Sequence, residues 1–126
     1  RGPDRLRKLE MTRGDLASAV LPGDYGSKPR PVLVIQSDAF RHLESITVLP
    51  LTTTVDEVRI TRVTIEPSNG NGLMERSQIM VDKAHTLRMH RIGYVFGRLS
   101  DADMSAVNRA LAGFLGLSAP PPLDAE

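Results

Sequence analysis

Apolar residues along this chain come in short runs, each cut off by glycine, proline or a polar cluster. Only in the last quarter does the spacing change. Short runs rich in β-branched residues and bounded by turn formers predict strands. Thr12 to Val20 reads as the first, with Leu16, Ala17, Ala19 and Val20 as its apolar part. Pro31 to Ser37 is the second, and its unbroken Val32-Leu33-Val34-Ile35 core predicts burial on both faces. Asp38 to Glu44 reads as a short helical turn or loop that Asp38 can cap. Ile46 to Thr52 is the third strand. Pro50 removes a ladder donor from it, which predicts an edge position or a bulge. Arg59 to Glu66 alternates Ile60, Val63 and Ile65 with basic residues or threonines, a strand with one wet face. Pro67-Ser68-Asn69-Gly70-Asn71-Gly72 is a turn. Ser77 to Ala84 is a further strand. After a linking turn around Met89 to Arg91, Tyr94 to Leu99 is the last.

From Ser100 the period becomes helical. Met104, Val107, Leu111, Phe114 and Leu115 form one apolar stripe. Ser100 is placed as N-cap, with Asp103 three residues on, Leu99 and Met104 as a hydrophobic staple, and Gly116 at C′. Several short strands and one C-terminal amphipathic helix predict an α+β fold that is mainly β. The expected form is a small SH3-like curved sheet or barrel covered by that helix. Residues 1–10 are charged and precede Met11, so they read as a leader, an expression remnant or a flexible arm. Residues 118–126, with Pro120-Pro121-Pro122, read as a disordered tail. That leaves one domain, residues 11–117.

Composition narrows the chemistry. The chain has 126 residues, 40% hydrophobic and 25% charged, ordinary for one globular domain. It has no Trp, two Tyr and three Phe, so the core must be aliphatic. A net charge of +1 means that nucleic-acid binding would need a local basic patch. The absence of Cys excludes disulfides, thiolate catalysis and Cys-type zinc sites. His42, His85 and His90 lack the spacing of a zinc protease, and no metal or other cofactor is expected. There is no P-loop and no nucleophile elbow. No apolar run is long enough for a membrane span or signal peptide, so a soluble cytoplasmic protein is the expectation.

The candidate chemistry lies where strands begin and end. Arg30 stands between Pro29 and Pro31 at the entrance to the second strand, which restricts its backbone. Thr52 ends the third strand and Asp82 lies near the end of the fifth. A guanidinium, a hydroxyl and a carboxylate suit phosphodiester cleavage without a metal. The carboxylate accepts a proton from a ribose 2′-OH, and the guanidinium stabilises charge on phosphorus with its planar fork. Lys28, Lys83 and His85 add positive or titratable character nearby.

These residues also carry a family resemblance. Arg13-Gly14-Asp15, then Lys28-Pro29-Arg30-Pro31-Val32-Leu33-Val34-Ile35-Gln36-Ser37-Asp38, resembles the start of the MazF/PemK toxins, the mRNA interferases of bacterial toxin–antitoxin pairs. The likeness continues through Val48-Leu49-Pro50-Leu51-Thr52, Ser77-Gln78-Ile79-Met80-Val81-Asp82-Lys83, Thr86-Leu87 and Gly97-Arg98-Leu99-Ser100, over roughly residues 11–117. It implies a toxin of a type II pair: a cytoplasmic, metal-independent endoribonuclease that cuts single-stranded mRNA through 2′-OH attack. It also implies a homodimer silenced by a cognate antitoxin, with which it binds DNA. Arg30, Thr52 and Asp82 would be catalytic. Lys28, Asp24, Thr53, Lys83 and His85 would contact RNA, with loop shapes around Ser27 and around Val55 to Arg59 selecting its sequence. Kid-like members place an arginine two residues before the carboxylate, where this chain has Met80, and many carry a histidine or glutamate where it offers Asp24 and Tyr25. The general acid is then either Arg30 or His85. The alternative is a non-enzymatic toxin on the same fold, like the gyrase poison CcdB. That class depends on a C-terminal aromatic residue, and this chain has none after Phe114.

Overall fold

In the computed structural model, which describes residues 11–23 and 26–119, the strands are β1 (Asp15–Ala19), β2 (Arg30–Val34), β3 (Ser45–Thr52), β4 (Arg62–Ile65), β5 (Ser77–Met80), β6 (His85–Arg88) and β7 (Ile92–Arg98). They are followed by the helix α1 (Asp101–Phe114). The expectations for residues 1–10, for Asp24 and Tyr25 and for the tail from residue 120 lie outside the described residues. Every pairing is antiparallel, in the order β4-β5-β3-β2-β1-β7, with β6 also on β3.

β3 is the hub of this sheet. β2 runs along one side of it; β6 and β5 lie end to end along the other. β6 pairs with Ser45 to Val48 and β5 with Leu51 and Thr52. Leu49 and Pro50 fall in the gap between the two ladders. So β3 is central, not an edge, and its proline sits where that side asks for no donor. The strand expected over Ser77 to Ala84 stops at Met80. The chain then turns, with the Lys83 N–H donating to the Met80 carbonyl at 3.1 Å, and resumes as β6. No sequence pattern marked β6 because it contributes a single buried residue, Leu87.

Side chains alternate across a strand, and here both faces are covered. Ala17, Ala19, Val32, Val34, Ile46, Val48, Leu87 and Ile92 pack on one face. Leu16, Leu33, Leu49, Leu51, Ile65 and Ile79 pack on the other, beneath Val107 of α1. This is why Val32-Leu33-Val34 is apolar throughout and does not alternate. Met104, Ala110 and Leu111 complete the helix contact. Phe114 and Leu115, expected in the same stripe, are 51% and 61% exposed, so the last helical turn overhangs the sheet.

The helix ends follow their sequence signals. The Ser100 hydroxyl accepts from the Asp103 N–H at 3.1 Å. At the C-terminus Leu117 N–H donates to Ala112 O at 2.7 Å and Gly116 N–H to Gly113 O at 3.2 Å, a Schellman pair with Gly116 at φ 78°. Asp38 does not cap the short 3-10 turn Asp38–Phe40; Ser37 does, accepting from Ala39 N–H at 3.2 Å. Asp38 instead accepts from the Arg13 N–H at 2.7 Å.

The sheet is open, with β4 and β7 at its ends. The loop that follows β4 nonetheless reaches β7: Arg98 N–H donates to Gly70 O at 2.9 Å. A Cβ at Gly97 would overlap the Asn71 carbonyl, so only glycine allows this approach. The expected mainly β, α+β class with one C-terminal helix is what the structure has; the sheet is open and does not curl into the expected barrel.

Candidate active site

The register of β2 against β3 places the first two candidates. Val32 pairs with Pro50 and Leu33 with Leu49. Carried two residues further, the same register sets Arg30, the first residue of β2, level with Thr52, the last of β3. Alternate residues share a face, so Arg30 goes with Val32 and Thr52 with Pro50, and both stand on one side of the sheet. Residues directly opposite in an antiparallel pair have Cβ atoms about 4.5–5.5 Å apart. The register therefore sets a cationic and a hydroxyl residue level with each other at one end of the sheet.

The local chain holds both. Arg30 is exposed, with prolines on either side. Thr52 is half-buried, and its Oγ1 accepts from the Thr54 N–H at 3.1 Å. That bond fixes the oxygen and leaves the hydroxyl proton for a ligand. Lys28 and Thr53, both exposed, lie on the two connections that flank the pair.

Asp82, Lys83 and His85 form a second group. Ile79 pairs with Leu51 and His85 with Val48, so the turn holding Asp82 runs alongside the middle of β3. That is some three residue steps from Thr52, roughly 10 Å along the strand. Val48 and Thr52 share a face, so His85 stands on the face that carries Arg30. Asp82 is half-buried. Its Oδ2 lies 3.9 Å from Lys83 Nζ, while its Oδ1 is buried with no hydrogen-bond partner. A buried acceptor without a donor is costly. Asp24 lies outside the described residues.

Sequence reading passed over one cation. Arg62 opens β4 and pairs with Met80. Its Nη1 donates to Thr54 O at 3.0 Å, and its Nε is buried without a partner. It thus braces the turn that carries Thr52. Its place in the alternation of β4 marked it only as a wet-face residue, because its position opposite Met80 depends on a register that the letters do not give. Among the described residues no group of three or more His, Asp or Glu side chains is placed to hold a metal ion.

Fold and surface together define a small, mainly β α+β protein with a cation and a hydroxyl on adjacent strand ends and a carboxylate turn beside its central strand. The family follows from comparison. Residues 12–115 match the PemK-like, MazF-like toxin of type II toxin–antitoxin systems, and the chain belongs to that family. It is 42% identical over 108 residues to the probable endoribonuclease MazF of Mycolicibacterium smegmatis, covering 86% of this chain and 99% of that protein. The Mycobacterium tuberculosis toxin MazF-mt6 superposes with a TM-score of 0.71 at 30% identity, over 82% of this chain and 98% of that one. A mycobacterial endoribonuclease solved in complex with its cognate antitoxin gives 0.71 at 30% identity, over 86% and 98%. The resemblance carried by the sequence blocks is therefore a true family relation. Among the described residues no helix is long and apolar enough to cross a membrane.

Proposed function

We propose that this chain is the toxin of a type II toxin–antitoxin pair, a metal-independent endoribonuclease that cuts single-stranded mRNA at selected sequences. The observation that carries this reading is the 42% identity to the Mycolicibacterium smegmatis protein named probable endoribonuclease MazF, over 99% of its length. The juxtaposition of Arg30 and Thr52 supports it chemically.

In this reading the scissile phosphate sits at the Arg30–Thr52 end of the sheet, and the ribose beside it turns toward the Asp82–His85 turn. The ribose 2′-oxygen attacks phosphorus and its proton passes to the part-exposed Asp82 carboxylate. The Arg30 guanidinium and the Thr52 hydroxyl hold the charge that grows on the non-bridging oxygens. The P–O5′ bond breaks, and the leaving oxygen takes a proton from Arg30 or His85. The products are a 2′,3′-cyclic phosphate, or the 3′-phosphate after hydrolysis, and a 5′-OH. Each proton transfer of this kind contributes about 10²–10⁴-fold.

The partners in this reading are single-stranded RNA, a second copy of the chain and a cognate antitoxin, all in the cytoplasm. RNA and an acidic antitoxin segment share the surface that holds Lys28, Arg30, Thr53 and Lys83. Incubating the pure protein with long single-stranded RNA in EDTA tests the reading. Discrete fragments with 5′-OH ends are expected; intact RNA would contradict it.

A further inference from the structure

A cleft of about 320 Å³ opens around the end of the sheet from the Arg30–Thr52 pair, and the mechanism above does not use it. Pro31 and Thr53, each the next residue after a member of that pair, both line it. The remaining lining comes from the loop Gly72–Glu75, from Ser77 and from the rings of Tyr94 and Phe96 on β7. Consecutive strand residues point to opposite faces. An RNA strand drawn over the ends of β2 and β3 therefore meets Arg30 and Thr52 on one face and this cleft on the other.

The cleft is built rather than loose. The buried Asn71 side chain fixes its loop: Oδ1 accepts from Ser68 N–H and Leu73 N–H, both at 3.0 Å, and Nδ2 donates to Glu66 O at 2.9 Å. Gly72 packs against the Phe96 carbonyl so closely that a Cβ would not fit. Ser77 Oγ donates to Glu75 O at 2.9 Å and holds the backbone of Glu75.

Its chemistry is two rings, apolar walls and one carboxylate. Tyr94 is 54% exposed and Met74 94%, so the rim offers flat and flexible apolar surface to solvent. Glu75 takes part in no ion pair among the described residues; its neighbour Arg76 is held by Glu57 and Glu66. Single-stranded RNA is read by stacking unpaired bases on aromatic rings and by bonding their Watson–Crick edges. A carboxylate only accepts, and it accepts in pairs. Guanine presents two adjacent donors on that edge, N1–H and N2–H. Adenine and cytosine present an amino group beside an acceptor, and uracil presents one N–H between two carbonyls.

We propose that this cleft is a base subsite which selects a guanine next to the cleaved bond, with Tyr94 and Phe96 stacking on the base and the Glu75 carboxylate accepting from N1–H and N2–H. The proposal rests on the endoribonuclease reading.

Mapping RNA 5′ ends on a random-sequence transcript tests it first. The wild type is expected to fix a guanine at one position beside the cut. An oligonucleotide carrying that motif is then cut with guanosine or with inosine, which lacks the N2 amino group, at the fixed position. For the wild type, inosine should lower kcat/KM about tenfold to a hundredfold. For Glu75→Gln, which is exposed and keeps the side-chain shape, the guanosine rate should fall and the inosine penalty should shrink to a few-fold. RNA left whole by the wild type overturns the endoribonuclease reading and the subsite with it. Cleavage with no fixed guanine, or an equal inosine penalty in both proteins, overturns the subsite alone. So does a change in mass by light scattering on Tyr94→Ala or Glu75→Gln, since the cleft would then be a contact between copies.

Discussion

Asp82 carries an unusual burden for a side chain at a turn. One of its carboxylate oxygens is buried with nothing to accept from, and the other lies near a lysine that is half in solvent. Such a group contributes little to the fold and is kept at a cost, which is how groups set aside for catalysis behave. Asp82→Asn is therefore expected to leave thermal stability unchanged or raise Tm by up to about 5 °C. It should lower RNA cleavage by about 10²–10⁴-fold while RNA affinity changes little. Melting curves, filter binding and cleavage rates on one preparation check all three. Equal losses of affinity and rate would make Asp82 a positioning residue. At this scale the sequence was informative about residues that flank apolar runs. Arg30 and Thr52 announce themselves by opening one strand and closing another. Arg62 and Glu75 do not, because their importance depends on what the fold sets beside them.

Among the elements, β4 and α1 lead to separate expectations. Arg62 ties β4 to the Thr52–Thr54 turn through the bond from Nη1 to Thr54 O. Arg62→Ala loses that brace, so the Thr52 hydroxyl is held less firmly. Cleavage should fall about 10–100-fold, in kcat more than in KM, since positioning acts on the transition state. Steady-state kinetics check this, and Arg62→Lys should recover only part of the loss because its point charge lacks the fork. In α1, Val107 is fully buried while Phe114 is half exposed. Val107→Ala should cost about 2 kcal/mol in urea unfolding, and Phe114→Ser in the monomer under about 0.5 kcal/mol. The sequence stripe treated these positions alike. Helical period gives the face but not where the sheet beneath it ends. The same limit hid β6, whose one buried residue cannot make a pattern, and misplaced Pro50, whose gap exists only because β5 and β6 divide one side of β3.

Over the whole molecule, apolar surface outside the cleft is left uncovered at the end of α1: Phe114, Leu115 and Leu117 are each more than half exposed. Exposed apolar surface of this kind marks an interaction face, and in this account a second copy and an antitoxin use it. Light scattering at micromolar protein should give a dimer mass. RNA and the antitoxin should compete for one site, both binding more weakly as salt rises, because phosphate and carboxylate contacts are screened alike. An antitoxin complex that binds substrate RNA at unchanged affinity would contradict the shared surface. The class of fold and its C-terminal helix were legible because periodicity is a local property of the chain, whereas the open form of the sheet was not. The contact of the Gly70–Asn71 turn with Gly97 and Arg98 was not legible either, since it joins residues far apart in the chain. The central claim is that Arg30, level with Thr52, stabilises the transition state of RNA cleavage. The rate of cleavage by Arg30→Ala on single-stranded RNA in EDTA, against wild type at the same dimer mass and Tm, tests it most directly. A loss of at least about 10²–10³-fold is predicted; a mutant that cuts within a few-fold of wild type would contradict the account.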